Sequence, residues 1–340
     1  MSVPATYHDI QRLTGLSLST ISKFFNGGNV RPNNRELIEA AVERLGFRVN
    51  EFARSLRTSR SNTVGVLLSE LDSSFNTSII AKVEDALRAE GYGTVICDAH
   101  RDGAVEREAV EFLLGKMVDG ILAIAVADDG AAYQPALERG VPVVLIDRVP
   151  RGVDTDAVVV DNAAAAASAV TELARWGHER IALVAGSDES STMRERRRDT
   201  APLEGVKEPA PTPGYLAVAP LTVRGGYQAV LDLVAMPERP TALFCANYEL
   251  TLGAVMALNE VGTRFPDDIS LIGFDNLLLT QVIKPRPTMV VQPIEQISST
   301  AAQLMLRRLA SPSLSAPRRV TLDTTLVVGE SVGRPVGVAR

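Results

Sequence analysis

Cysteine is almost missing from this chain: Cys97 and Cys245 are the two among 340 residues, far apart and each in an apolar run. With no second ligand at metal or redox spacing, buried single thiols are the expectation, ahead of a disulfide, a zinc site or a thiol nucleophile. Histidine is nearly as scarce. His8 and His100 lack a carboxylate or thiol at catalytic spacing, and His178, at a strand start after a glycine turn, reads as structural. No apolar run reaches the roughly 18 residues of a membrane span, so no membrane partner is expected. The first ten residues lack the charged-then-apolar order of a secretory signal, which makes the cytoplasm the expected location. Gly225-Gly226 lacks the strand-then-GxGxxG order of a dinucleotide loop. The Asp128-Asp129 and Asp267-Asp268 pairs sit beside turn residues and read as solvated loops rather than acid–base dyads. No catalytic residue, metal or cofactor is expected, and the chain does not read as an enzyme.

What is present is a globular composition, 46% hydrophobic with a mean hydropathy of +0.08, in a chain too long for one ordinary core. The charge is uneven. Residues 1–60 hold nine Lys/Arg against five acids, a balance of +4, while the whole chain carries −6 and the remainder therefore −10. A basic head on an acidic body favours a polyanionic partner at the head only.

Thr6 to Thr14 puts Ile10 and Leu13 on one helical face. Gly15 supplies a turn, and Ser17 can cap a second helix starting at Leu18. That helix buries Ile21 with Phe24 or Phe25, presents Ser19, Ser22 and Lys23 outward, and ends at Asn26 and Gly27. A third, Asn33 to Leu45, repeats Leu37, Ile38, Ala41, Val42 and Leu45 at helical spacing. Three short helices with a polar second one suit entry into a DNA major groove. Leu18, Ser19 and Ser22 are short enough for close approach to base edges, and Lys23 can reach a base or a phosphate. Asn50 to Arg57 is a hinge-length amphipathic segment that is marginal as an isolated helix.

From Thr63 onward, strand-like apolar runs alternate with helical stretches in two successive sets. TVGVLL, TVIC, GILAIA and VPVVLI form the first, IALVA, TALFCA and ISLIGF the second. Two such lobes place a ligand at the carboxyl ends of strands. Polar residues recur there: Asp147 and Arg148 after VVLI, Asn247 after LFCA, Asp275 and Asn276 after LIGF, and Gln292 after MVV. For each alone, a turn or helix cap is an equal reading; their recurrence favours a cleft.

The first 50 or so residues, through the TGLSLSTIS turn, the Asn after the second helix, the LGFRVN exit and the ARSL hinge, resemble the DNA-binding head of the LacI/GalR family of bacterial repressors. GVLLSELDSSF, VPVVLIDR, GHERIALVAG, PTALFCAN, PDDISLIGFDN and PTMVVQP resemble that family's effector-binding core. The resemblance runs from Thr6 to about Gly333. It implies an N-terminal all-α helix-turn-helix head (1–48), a hinge (49–60), a periplasmic-binding-protein-like α/β bilobed core of two doubly wound parallel sheets (61–333), and a tail (334–340). Lobe 1 is expected at about 61–161 and 292–322, lobe 2 at about 162–291 and 323–333. It implies double-stranded operator DNA, a small-molecule effector (sugar, nucleoside or related metabolite) and a homodimer as partners. Thr6, Ser17, Leu18, Ser19, Ser22, Lys23, Asn26 and Asn50 are placed on DNA. So are Ala53, Arg54, Leu56 and Arg57 of the hinge, with Leu56 wedging into the minor groove. Phe75, Asp147, Arg148, Arg196, Asn247, Asp275 and Gln292 are placed on the effector.

Departures are visible too. Val49 stands where proline is usual, Tyr248 where aspartate is, and Leu221 where a ring-stacking aromatic is. The 193–214 run is richer in proline and charge, so Arg194 or Arg198 could stand in for Arg196, and counting from Gly205 would give Pro202 instead. Induction and corepression use the same parts. The rivals are a solute-binding protein, which has no use for residues 1–60, and an α/β enzyme, which needs a cofactor loop or an acid–base pair.

Overall fold

The computed structural model describes residues 5–25, 28–47, 60–187, 191–198, 214–275, 281–311 and 316–335. The chain folds as two units, Met1–Ser61 and Asn62–Arg340.

In the first unit, α1 (Tyr7–Thr14), α2 (Leu18–Phe25) and α3 (Pro32–Leu45) enclose a small core of Ile10, Ile21, Val30, Ile38, Ala41 and Phe47. Thr6 begins α1 in extended backbone, its N–H donating to Asp9 Oδ2 at 2.8 Å, and Gly15 closes the helix at φ +72. The Thr20 N–H donates to Ser17 Oγ at 3.2 Å, so Ser17 caps α2. Tyr7 stacks on Phe25 with ring centroids 5.2 Å apart. That contact turns the inward face of α1 through Tyr7 and Ile10. Leu13, 60° further round the helix, is 41% exposed, against the expectation that it lies on the buried face. Leu37 is 49% exposed for the same kind of reason: its neighbour Ile38 takes the core position.

The second unit holds two six-stranded sheets. Lobe 1 carries β1 (Thr63–Leu68), β2 (Gly93–Asp98), β3 (Gly120–Ala123), β4 (Val143–Ile146), β5 (Asp156–Val160) and β11 (Arg319–Leu322) in the order β11-β5-β4-β3-β1-β2. Lobe 2 carries β6 (Ile181–Ala185), β7 (Leu216–Val218), β8 (Ala242–Cys245), β9 (Ser270–Phe274), β10 (Thr288–Val291) and β12 (Thr325–Val327) in the order β12-β10-β9-β8-β6-β7. The two orders correspond strand for strand. Pairing is parallel throughout, except that β12 runs antiparallel to β10, because two residues after β11 bring the chain straight into the other sheet.

Helices α4 (Ser74–Ala89), α5 (Gly103–Gly115) and α6 (Gln134–Glu138) cover sheet 1, and α11 (Ile294–Ala310) joins α4 on one face. α7 (Asn162–Arg175) and α8 (Ser191–Arg198) cover one face of sheet 2, α9 (Val223–Val234) and α10 (Tyr248–Glu260) the other. Both faces being covered, central strands are buried from end to end, which accounts for their unbroken Val/Ile/Leu/Ala runs. α9 and α10 cross with their backbones touching. A Cβ on Gly253 would stand 2.1 Å from the Val223 carbonyl, and one on Gly226 2.5 Å from that of Leu250. Cys245 is buried, its thiol pushed up to about 12 by burial. Cys97 is half-buried rather than buried, because β2 is an edge strand.

Candidate functional site

In both sheets the strand order reverses direction beside β1 and β6, and the carboxyl ends of the strands there leave a crevice. Between the two sets of strand ends lies a cavity of about 600 Å³. Asp147 follows β4 and Asp275 follows β9, the corresponding strand. Both adopt left-handed backbone, φ 67 and 64, a conformation Asp tolerates better than most residues. Each is anchored by its own N–H to the adjacent strand, to Val158 O at 2.9 Å and Val290 O at 2.8 Å. The left-handed turn ends the strand and leaves the carboxylate at the cavity.

Arg196 of α8 occupies the centre of the lobe-2 wall and is 3% exposed. Its Nε donates to Asn162 Oδ1 at 2.8 Å, its Nη1 to the Ala246 carbonyl at 2.6 Å, and its guanidinium lies 3.7 Å over the Phe274 ring. Burial foremost pulls its pKa down; the charges of Asp275 and Asp147 oppose that. So seated, Arg196 is fixed in the wall of the cavity that it lines. Asp275, 7% exposed, accepts from Gln292 Nε2 at 2.8 Å. Burial above all, with the like charges of Asp147 and Glu249, raises its carboxyl to about 7 against the pull of Arg196 and Gln292. Among the described residues, buried Asp147 Oδ1, Gln292 Oε1 and Arg148 Nε have no hydrogen-bond partner. All three belong to residues that line the cavity, and two acceptors and one donor in such a wall suit a polar, hydroxyl- or NH-bearing ligand.

Asn247 also borders the cavity, but its Oδ1 caps α10 through the Leu250 N–H at 2.9 Å and its Nδ2 donates to Glu249 Oε2 at 2.6 Å. Phe75 forms part of the lobe-1 wall, packed against that lobe's core. Of the arginines at 194, 196 and 198, Arg196 lines the cavity, and the Arg198 side chain lies outside the described residues. Arg194 instead crosses to Asp128 at 2.9 Å. Asp128 lies in a loop, as expected, but it is only partly open to solvent there, because it binds Arg194 from the opposite lobe and Arg151 at 3.3 Å. Sequence reasoning also passed over Glu249, Glu70, Arg101 and Thr192, which line the same cavity. Burial, then the Glu70 and Asp72 charges, raises the Glu249 pKa, with Arg101 opposing. Their signal was weak, since each sits in a loop or first helical turn where polar residues are ordinary. His178 is structural as read: it is buried, with Nδ1 3.0 Å from Thr241 Oγ1 and Nε2 2.8 Å from Ser270 Oγ and 2.9 Å from the Gly333 carbonyl.

In the head, Ser17, Ser19 and Lys23 are exposed along α2, and Leu18 and Ser22 are half-buried beside them. Ser17 Oγ lies 2.8 Å from Ser19 Oγ and 2.9 Å from Thr20 Oγ1. Thr6 is exposed at the start of α1, its hydroxyl on Asp9 at 2.8 Å. Asn26, Asn50, Ala53, Arg54, Leu56 and Arg57 lie outside the described residues.

Residues 170–332 match the periplasmic binding protein-like domain. Over 329 residues, 95% of each chain, the sequence is 29% identical to catabolite control protein A of Priestia megaterium. Over nearly its whole length the chain is thus similar to transcriptional regulators of the LacI family. Two solved structures of regulators show the same architecture. The transcriptional regulator CelR in complex with cellobiose is 28% identical, with a TM-score of 0.71 over 96% of this chain and 99% of that one. The Lac repressor dimer bound to operator and the anti-inducer ONPF, 24% identical, gives a TM-score of 0.85 over 97% of this chain and 100% of that one, a likeness of fold.

Proposed function

We propose that this chain is a cytoplasmic, operator-binding transcriptional repressor of the LacI family, not an enzyme, whose DNA affinity is set by a small molecule held between the lobes of residues 61–333. The observation that carries the reading is the conjunction, in one chain, of a helix-turn-helix head with a cavity walled by unpartnered buried polar atoms. Ser17, Leu18, Ser19, Ser22 and Lys23 present α2 to base edges and phosphates, with Thr6, Asn26 and Asn50 on the backbone. A homodimer puts two such helices in successive major grooves of a near-palindromic site. The hinge, 49–60, folds on that duplex. There Ala53 lets paired helices approach, Arg54 and Arg57 meet phosphates, and Leu56 unstacks a base step. Asp147, Arg148, Arg196, Asp275 and Gln292 hold the effector's polar groups, Phe75 covers one face, and Asn247 shapes the rim. A sugar, a nucleoside or a related metabolite fits such a donor and acceptor set.

Selection from a random duplex library with purified full-length protein tests the reading: a recurrent, near-palindromic site is expected. Leu56→Ala should then weaken binding to that site by about 10-fold or more while cavity binding persists, because without the wedge the bend, and the extra contacts that offset the unstacking cost of a few kcal/mol, are lost. An unselective pool, or unchanged affinity in the variant, contradicts it.

A further inference from the structure

Glu106 is a carboxylate on α5 with no solvent exposure at all. Its two oxygens grip consecutive backbone amides: Val126 N–H donates to Oε1 at 2.8 Å and Ala127 N–H to Oε2 at 2.9 Å. The hydroxyl of Tyr133, itself fully buried, donates to Oε1 at 2.6 Å. Burial first, then the Glu106 charge, holds that phenol well above its ordinary range. Three donors on one buried carboxylate form a charge-assisted knot that is costly to loosen.

The knot holds the segment 124–128, where the chain leaves β3. Ile124 and Val126 line the cavity, and the Val126 carbonyl accepts from Arg148 Nη1 at 3.4 Å. Two residues further, Asp128 meets Arg194 of α8 across the cleft at 2.9 Å. One buried side chain thus fixes both a cavity arginine and an ion pair between lobes, without touching either.

We propose that Glu106 is a positioning residue: it holds 124–128 so that Arg148 stands in the cavity and Asp128 couples lobe 1 to α8 of lobe 2. Its bearing on regulation rests on the cavity being the effector site, but the coupling itself is a property of the ligand-free protein. Hydrogen–deuterium exchange of the unliganded full-length chain therefore tests it independently. Glu106→Gln replaces one acceptor with an NH₂ that faces amide donors. It should speed exchange about tenfold at 124–130 and also in α8, with β8 unchanged. Asp128→Asn, which cuts only the last link, should speed α8 alone. Tyr133→Phe keeps both amide bonds, and so the fold, and should shift both segments in the same direction by about threefold.

Loosening of 124–130 with α8 unmoved, in either Glu106→Gln or Tyr133→Phe, overturns the proposal. So does equal loosening of β8, which would make Glu106 a general core residue. If the effector reading alone is wrong, this exchange pattern stands while no small molecule alters operator affinity.

Discussion

Asp275 shows how one residue's surroundings set its chemistry. Unfolded, its carboxyl ionises near 3.8; folded, burial raises it to about 7. Between those values the unfolded chain gives up its proton while the folded one keeps it. The contribution to stability is therefore whole below about 4, falls as pH rises through the window, and levels off above about 7. Denaturant unfolding of ligand-free protein at pH 4.5 and 8 should show a decline from this group of about 2–4 kcal/mol. Asp275→Asn, which still accepts from Gln292, should lose most of that decline; an identical pH dependence in both proteins refutes the assignment. The residue was legible in the sequence as a polar group at a strand tip, as were Asp147 and Gln292. Its protonation was not, because that depends on Asp147 and Glu249 arriving from other strands and helices. Glu106 could have been noticed, since it stands four residues before Val110 on the buried face of α5. Nothing local to it names the two amides it holds, 20 and 21 residues away.

At the scale of elements, unbroken apolar strands and three-and-four helical spacing located the central strands and most helices, because a doubly covered sheet leaves those strands no solvent face. The short edge strand β7, with two exposed residues of its three, has no such pattern. β11 and β12 alternate weakly and owe their sheets to chain crossings that no local signal carries. Leu13 and Leu37 show the same limit within helices: spacing defines a face, but the Tyr7–Phe25 stack decides how it is turned. Close backbone contact between α9 and α10 matters because their N-termini carry Thr222 and Asn247–Glu249 to the cavity. Gly253→Ala places a methyl 2.1 Å from the Val223 carbonyl and should cost about 1–3 kcal/mol of unfolding free energy by overpacking. A cost below about 0.5 kcal/mol, the range of neutral surface changes, would contradict the crossing as described.

For the whole molecule, the fold class followed from alternation of strands and helices, and the likeness to LacI-family regulators from motifs spread along the chain. The cavity's internal partners did not, since its lining is assembled from both lobes. In this account a ligand acts by binding one arrangement of those lobes better than another, and its differential affinity sets the limit of the response. The direct test is operator affinity of the full-length protein by fluorescence anisotropy on the selected duplex. It would be run with and without a small molecule that thermal shift shows to bind, in wild type and in Asp147→Asn. A change of about tenfold or more in the wild type, largely lost in the variant, is the predicted result. The same operator affinity with the cavity demonstrably full and empty would contradict the account.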